Sequence, residues 1–141
     1  MREILFRGKR TDNGEWIYGS FIPDLLESLE KSDMLDGFIK PFGRTKEERL
    51  MVEVERETVG QYTGLTDKNG VKIFEGDIVE YDEEIGKVVY MTDNAAFDVF
   101  FDTWNTSFSA INERYIEVIG NIHDNPELLE GGGDNAYPIH L

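Results

Sequence analysis

The stretch from Thr58 to Met91, TVGQYTGLTDKNGVKIFEGDIVEYDEEIGKVVYM, sets short β-branched and aromatic runs between turn residues every few positions. That rhythm suits strands joined by tight turns. Asp67-Lys68-Asn69-Gly70 supplies residues that tolerate the positive φ of a turn. Val71 to Phe74 then reads as strand, Glu75-Gly76-Asp77 breaks it, and Ile78 to Tyr81 resumes it. The acidic tip Asp82-Glu83-Glu84 leads through Ile85-Gly86 into a partner strand, Lys87 to Met91, so the segment reads as the opening of a small barrel. Asp77 stands where a short carboxylate can hydrogen-bond the backbone of the Gly76 turn.

The flanking sequence repeats the pattern. Ile4 to Arg7 and Trp16 to Ile22 read as a hairpin around Thr11-Asp12-Asn13-Gly14, with Gly8 and Gly19 marking bulges or close backbone approach. Pro23-Asp24 with Leu25, Leu26 and Leu29 suggests a short helix ending by Ser32 or Asp33. Asp36 to Arg44 is a short edge strand or a loop, because Pro41 cannot donate to a ladder, and Thr45 to Arg49 is a polar turn. Leu50 to Val59 alternates as a half-buried strand. Ala95 to Phe101, Ser107 to Ile111 and Tyr115 to Ile122 complete the strands. Asn125-Pro126 opens a brief helix that Gly131-Gly132-Gly133 ends. The expected fold is mainly β with minor α: a small antiparallel barrel or sheet domain, SH3-like in its C-terminal half, with an N-terminal hairpin and one or two short helices. The expected organisation is one domain over residues 1–130, hairpin and connection to 57 and barrel-like from 58, followed by a flexible tail over 131–141.

Charge is unevenly placed. Residues 1–70 hold 11 Lys plus Arg against 14 Asp plus Glu, and residues 71–141 hold 3 against 15, so a net −15 divides into −3 and −12. Clustered cations are what a phosphate backbone requires, so nucleic acid is an unfavoured partner; the remaining candidate is the basic hairpin bearing Arg2, Arg7, Lys9 and Arg10. Acidity of this kind keeps a small protein soluble, attracts a basic partner, or mimics nucleic acid. With no cysteine and no long apolar run, the chain is expected in the cytoplasm, with neither disulfide nor membrane span.

Chemistry is sparse. His123 beside Asp124, with Glu117 nearby in sequence, is the candidate general base, against the plainer reading of an ordinary surface histidine; His140 lies in the tail. Neither a nucleophile elbow nor a phosphate loop occurs, and the Asp67 turn fails as a calcium loop because position 78 is isoleucine. Glu80, Asp82, Glu83 and Glu84 could ligate a cation weakly, but a solvated tip that discourages edge pairing is the simpler account. No catalytic residue, metal or cofactor is therefore assigned. In the aromatic run Phe97 and Phe101 suit the core, while Phe100 should face the other way; with Trp104, Asp82, Glu83 and Glu84 it makes a candidate interaction surface.

The stretches MREILFR (1–7), TVGQYTGLTDKNGVKIFEGDIV (58–79) and IEVIGNIHDNPELL (116–129) resemble, in this order, the YopX family of bacteriophage and prophage proteins. The resemblance implies a mostly β fold and a homo-oligomer of unassigned biochemical role, acting through contacts with itself or with host or phage proteins. It supplies no catalytic residues to place on this chain, and the tail after Glu130 departs from it.

Overall fold

The computed structural model describes residues 4–23, 37–41 and 51–130. The expected helix at Leu25–Leu29, the Thr45–Arg49 turn, Phe42, Leu50, Arg2, His140 and the tail all lie outside them. The chain divides into two compact units, Met1–Tyr62 and Thr63–Leu141.

The N-terminal unit is built from β1 (Phe6–Lys9), β2 (Trp16–Pro23), β3 (Gly37–Pro41), β4 (Val52–Val54) and the start of β5 (Gly60–Thr66). All pairings are antiparallel, in the order β4-β3-β2-β1-β5. The Asn13-Gly14 turn forms as expected: Gly14 takes φ 74°, and Asn13 Oδ1 accepts the Glu15 N–H at 2.9 Å. Gly19 lies directly beneath the Lys40 carbonyl and Gly8 beneath Val54, so both glycines mark close approach. Two expectations change. Gly37–Pro41 is a strand flanked on both sides, by β2 and β4, and not an edge. The run from Leu50 to Val59 contributes only three strand residues, because Arg56–Thr58 turns as a 3-10 helix. There the Thr58 hydroxyl donates to the Glu55 carbonyl at 2.6 Å and accepts the Lys9 N–H at 2.8 Å, which diverts the chain. Ile39 and Val54 are wholly buried in this unit.

The C-terminal unit continues β5 and adds β6 (Lys72–Phe74), its neighbour. A five-stranded antiparallel sheet follows: β7 (Asp77–Tyr81), β8 (Glu84–Met91), β9 (Ala96–Phe100), β10 (Asn105–Ser107) and β11 (Ile116–Asn121), in the order β10-β9-β8-β7-β11. The mainly β, antiparallel class is as expected, but the barrel is not: among the described residues this sheet stays open, because β11 pairs with β7 while β10 pairs with β9. A short helix α1 (Glu127–Glu130) lies beside β8. Ile73, Val79, Val88, Phe97, Val99, Phe101, Phe108 and Ile116 form the core, each side chain contributing about 1.5–3 kcal/mol by leaving water. Gly86 on β8 is part of that packing, since a Cβ there would stand 2.9 Å from the Phe101 ring.

Phe100 requires a correction. It faces away from Phe97 and Val99, as alternation demands, yet it is only 8% exposed. The second face of the sheet is covered too: Ile78, Val89 and Asp98 on that face are also buried. Alternation tells which side a residue faces and not whether that side meets water.

Candidate functional site

Polar residues within the stretches that carry the resemblance fold the chain against itself. Asp67 is buried; its Oδ1 accepts the N–H groups of Asn69 (2.8 Å) and Val71 (2.9 Å), and its Oδ2 accepts Val118 N–H (2.9 Å). Burial pushes its carboxyl upward, but the hydrogen bonds from Val118, Val71 and Asn69 hold it below the ordinary carboxylate value. Asp77, 2% exposed, accepts the Phe74 N–H at 2.7 Å, the turn-closing bond expected of it. Opposite, Ile122 N–H donates to the Gly76 carbonyl at 2.9 Å, and Asn121 pairs with Asp77. Asn121 Oδ1 then accepts the N–H groups of His123 and Asp124, and Asn125 Oδ1 reaches back to Asn121 N–H at 3.2 Å. Gly120, beside the β11 bulge, makes room: a Cβ there would stand 2.6 Å from Asn125 Oδ1.

His123 is half-buried in this turn. Glu117, its acidic neighbour in sequence, pairs with Lys68 at 3.5 Å. Among the described residues no three of His, Cys, Asp and Glu come together as a metal site would require.

On the basic hairpin, Arg10 is held bidentate by Asp12, Nε to Oδ1 at 2.9 Å and Nη2 to Oδ2 at 2.7 Å; this hydrogen-bonded pair raises the arginine pKa and lowers that of the aspartate. Arg7 is buried, with its guanidinium 4.6 Å from the Trp16 ring centre, and Lys9 Nζ lies 5.6 Å from the same ring. These cations are committed to side chains of their own unit.

The exposed features gather at one end of the five-stranded sheet. Tyr81 and Glu84 are the closing pair of β7 and β8, so the turn is the two residues Asp82 and Glu83, with φ of 54° and 68°. The strand thus begins at Glu84, ahead of the Ile85-Gly86 step expected to precede it. Phe101 to Trp104 forms the next turn, closed by Phe101 N–H to the Trp104 carbonyl at 2.8 Å. Trp104 is 43% exposed; one face stacks on Phe101, centroids 4.6 Å apart and planes at 17°, and Nε1 donates to Glu84 Oε1 at 3.0 Å. Tyr81 is tilted at 33° to the Phe101 ring, centroids 6.4 Å apart. Of the five residues singled out from sequence, Trp104 and Glu84 are bonded, Asp82 and Glu83 are contiguous and exposed, and Phe100 is in the interior. Tyr115, expected to open the last strand, instead precedes it and is 65% exposed, and sequence reasoning missed Asn112, whose N–H donates to Tyr81 Oη at 3.3 Å from a loop with no periodic signal.

These features define a small, mainly β protein of open antiparallel sheets, whose signature polar side chains serve backbone groups and whose exposed chemistry is aromatic and acidic. The chain belongs to the YopX family: the family model described as YopX protein matches residues 5–130. It is also similar to a solved structure titled "Crystal structure of protein EF1440 from Enterococcus faecalis", at 26% identity and a TM-score of 0.55, over 92% of this chain and 100% of that one. No curated protein matches it. Among the described residues no helix is long and apolar enough to cross a membrane.

Proposed function

We propose that this protein is a non-enzymatic phage or prophage module that acts through protein contacts as a homo-oligomer in the cytoplasm of a bacterial host. The observation that carries the reading is Trp104, a large apolar ring fixed by a stack and a hydrogen bond yet left 43% exposed. Aromatic rings held rigidly at a surface are characteristic of recognition sites, since little side-chain entropy remains to be lost on binding. The non-enzymatic part is supported by Asp67, Asp77, Asn121 and Asn125, which accept backbone N–H bonds and so act as braces. Light scattering and crosslinking across a concentration series test the reading. Defined oligomers that shrink on Trp104→Ala support it, and a strictly monomeric species at high concentration overturns the self-association. The alternative, an accessory factor contacting nucleic acid through the N-terminal hairpin, predicts a gel shift that weakens steeply with salt; the pairing of Arg10 with Asp12 counts against it.

A further inference from the structure

We infer that the tip carrying Trp104 receives a cationic side chain of another protein, an arginine foremost, stacked on the open face of the indole; this rests on the protein-contact reading above. Phe101 occupies one face of the ring and Glu84 holds its Nε1, so the π face left to solvent is the part of the ring that attracts cations. Two turns flank it. Asp82 and Glu83 cap β7–β8, and Asp102 sits in the turn closed by the Phe101–Trp104 backbone bond. The antiparallel pairing of β8 with β9 brings both turns to the same end of the sheet. Asp82, Glu83, Glu84 and Asp102 are all exposed. The surrounding field has the same sign, because Thr63–Leu141 holds 4 Lys plus Arg against 16 Asp plus Glu.

Charge complementarity then selects the occupant. A phosphate or an acidic peptide is repelled, and a neutral apolar segment gains nothing from the carboxylates. Arginine fits better than lysine: its guanidinium is planar, weakly hydrated and able to stack while bonding carboxylates at its edge. Glu84 uses one oxygen for the indole, and a carboxylate retains further acceptor capacity.

The test titrates the full chain with a hexa-arginine peptide, following the Trp104 indole N–H by NMR with Trp16 as internal reference; hexa-lysine and a glycine-serine peptide of equal length are comparators. The expected result is a saturable displacement of the Trp104 signal that weakens as salt rises, with hexa-lysine weaker and the neutral peptide inert. By calorimetry, Glu84→Gln, which still accepts the indole N–H, and Asp102→Asn should each weaken binding about two- to fivefold. Trp104→Phe should retain part of the affinity and Trp104→Ala lose most of it. Undiminished binding to Trp104→Ala, or displacement confined to Trp16, overturns the inference. Either result leaves the broader reading standing, because self-association is measured without peptide. A monomer that still binds hexa-arginine at Trp104 would remove the homo-oligomer and keep the receptor.

Discussion

Asp67 Oδ2 accepts the Val118 N–H at 2.9 Å, joining positions 51 residues apart in the chain. The same carboxylate organises its own turn through Asn69 and Val71, so one buried side chain fixes a local bend and holds β11 to it. Beside it, Lys68 N–H donates to the Ile116 carbonyl at 2.9 Å. The neighbouring pairing of Gly76 with Ile122 repeats the arrangement, and together they explain why the two signature segments belong together.

Removing this brace should be costly. Asp67→Ala leaves three N–H groups without their acceptor and is expected to lose about 1–3 kcal/mol in urea unfolding. Asp67→Asn should lose a comparable amount, since an amide nitrogen turned toward Val118 meets donor with donor.

The same residue gives a pH dependence. Its folded-state pKa lies below the ordinary value of 3.8, so its stabilisation is fully present above that value. It is lost as pH falls through the lower folded-state value. Stability profiles of the wild type and Asp67→Ala should therefore run parallel at neutral pH and converge in acid below about pH 4. A constant gap down to pH 2 would show that Asp67 does not titrate with folding.

How much of this was legible in the sequence follows from range. The Asn13-Gly14 hairpin and the Asp77 turn bond rest on nearest neighbours and are legible in the sequence, whereas the alternating run from Leu50 to Val59 yields strand only over Val52–Val54 because Thr58 turns the chain. The burial of Phe100 depends on what covers the far face of the sheet, and the bond from Trp104 to Glu84 spans 20 residues through strand register. Composition pointed to Trp104 and to the acids. Only packing could show which of the neighbouring aromatics reaches water.

The Asp82-Glu83 turn uses side chains where the left-handed backbone favours asparagine and glycine. Glu83→Gly should relieve about 1–2 kcal/mol of strain and, after the added freedom of the unfolded chain, raise stability by about 0.5–1 kcal/mol. A higher thermal midpoint with unchanged Trp104 exposure, by fluorescence quenching, is the expected outcome.

Glycines should differ in tolerance by their surroundings. Gly19→Ala drives a methyl into the Lys40–Pro41 backbone and is expected to cost about 3 kcal/mol or more. Gly14→Ala meets nothing within 4 Å and carries only the strain of φ 74°, about 1–2 kcal/mol. Chemical denaturation of the two variants gives the ordering, and a reversal would contradict the observed packing.

Gly86 supports an arrangement three layers deep: bare backbone, then the Phe101 ring, then the indole of Trp104. The pose of the outermost ring is therefore inherited from an atom missing at the bottom. A methyl added at Gly86 would be felt outside as a tilted indole, although no solvent-facing side chain had changed. An interior substitution at this position would thus change the presentation of Trp104, and an inspection of surface residues alone would overlook the difference.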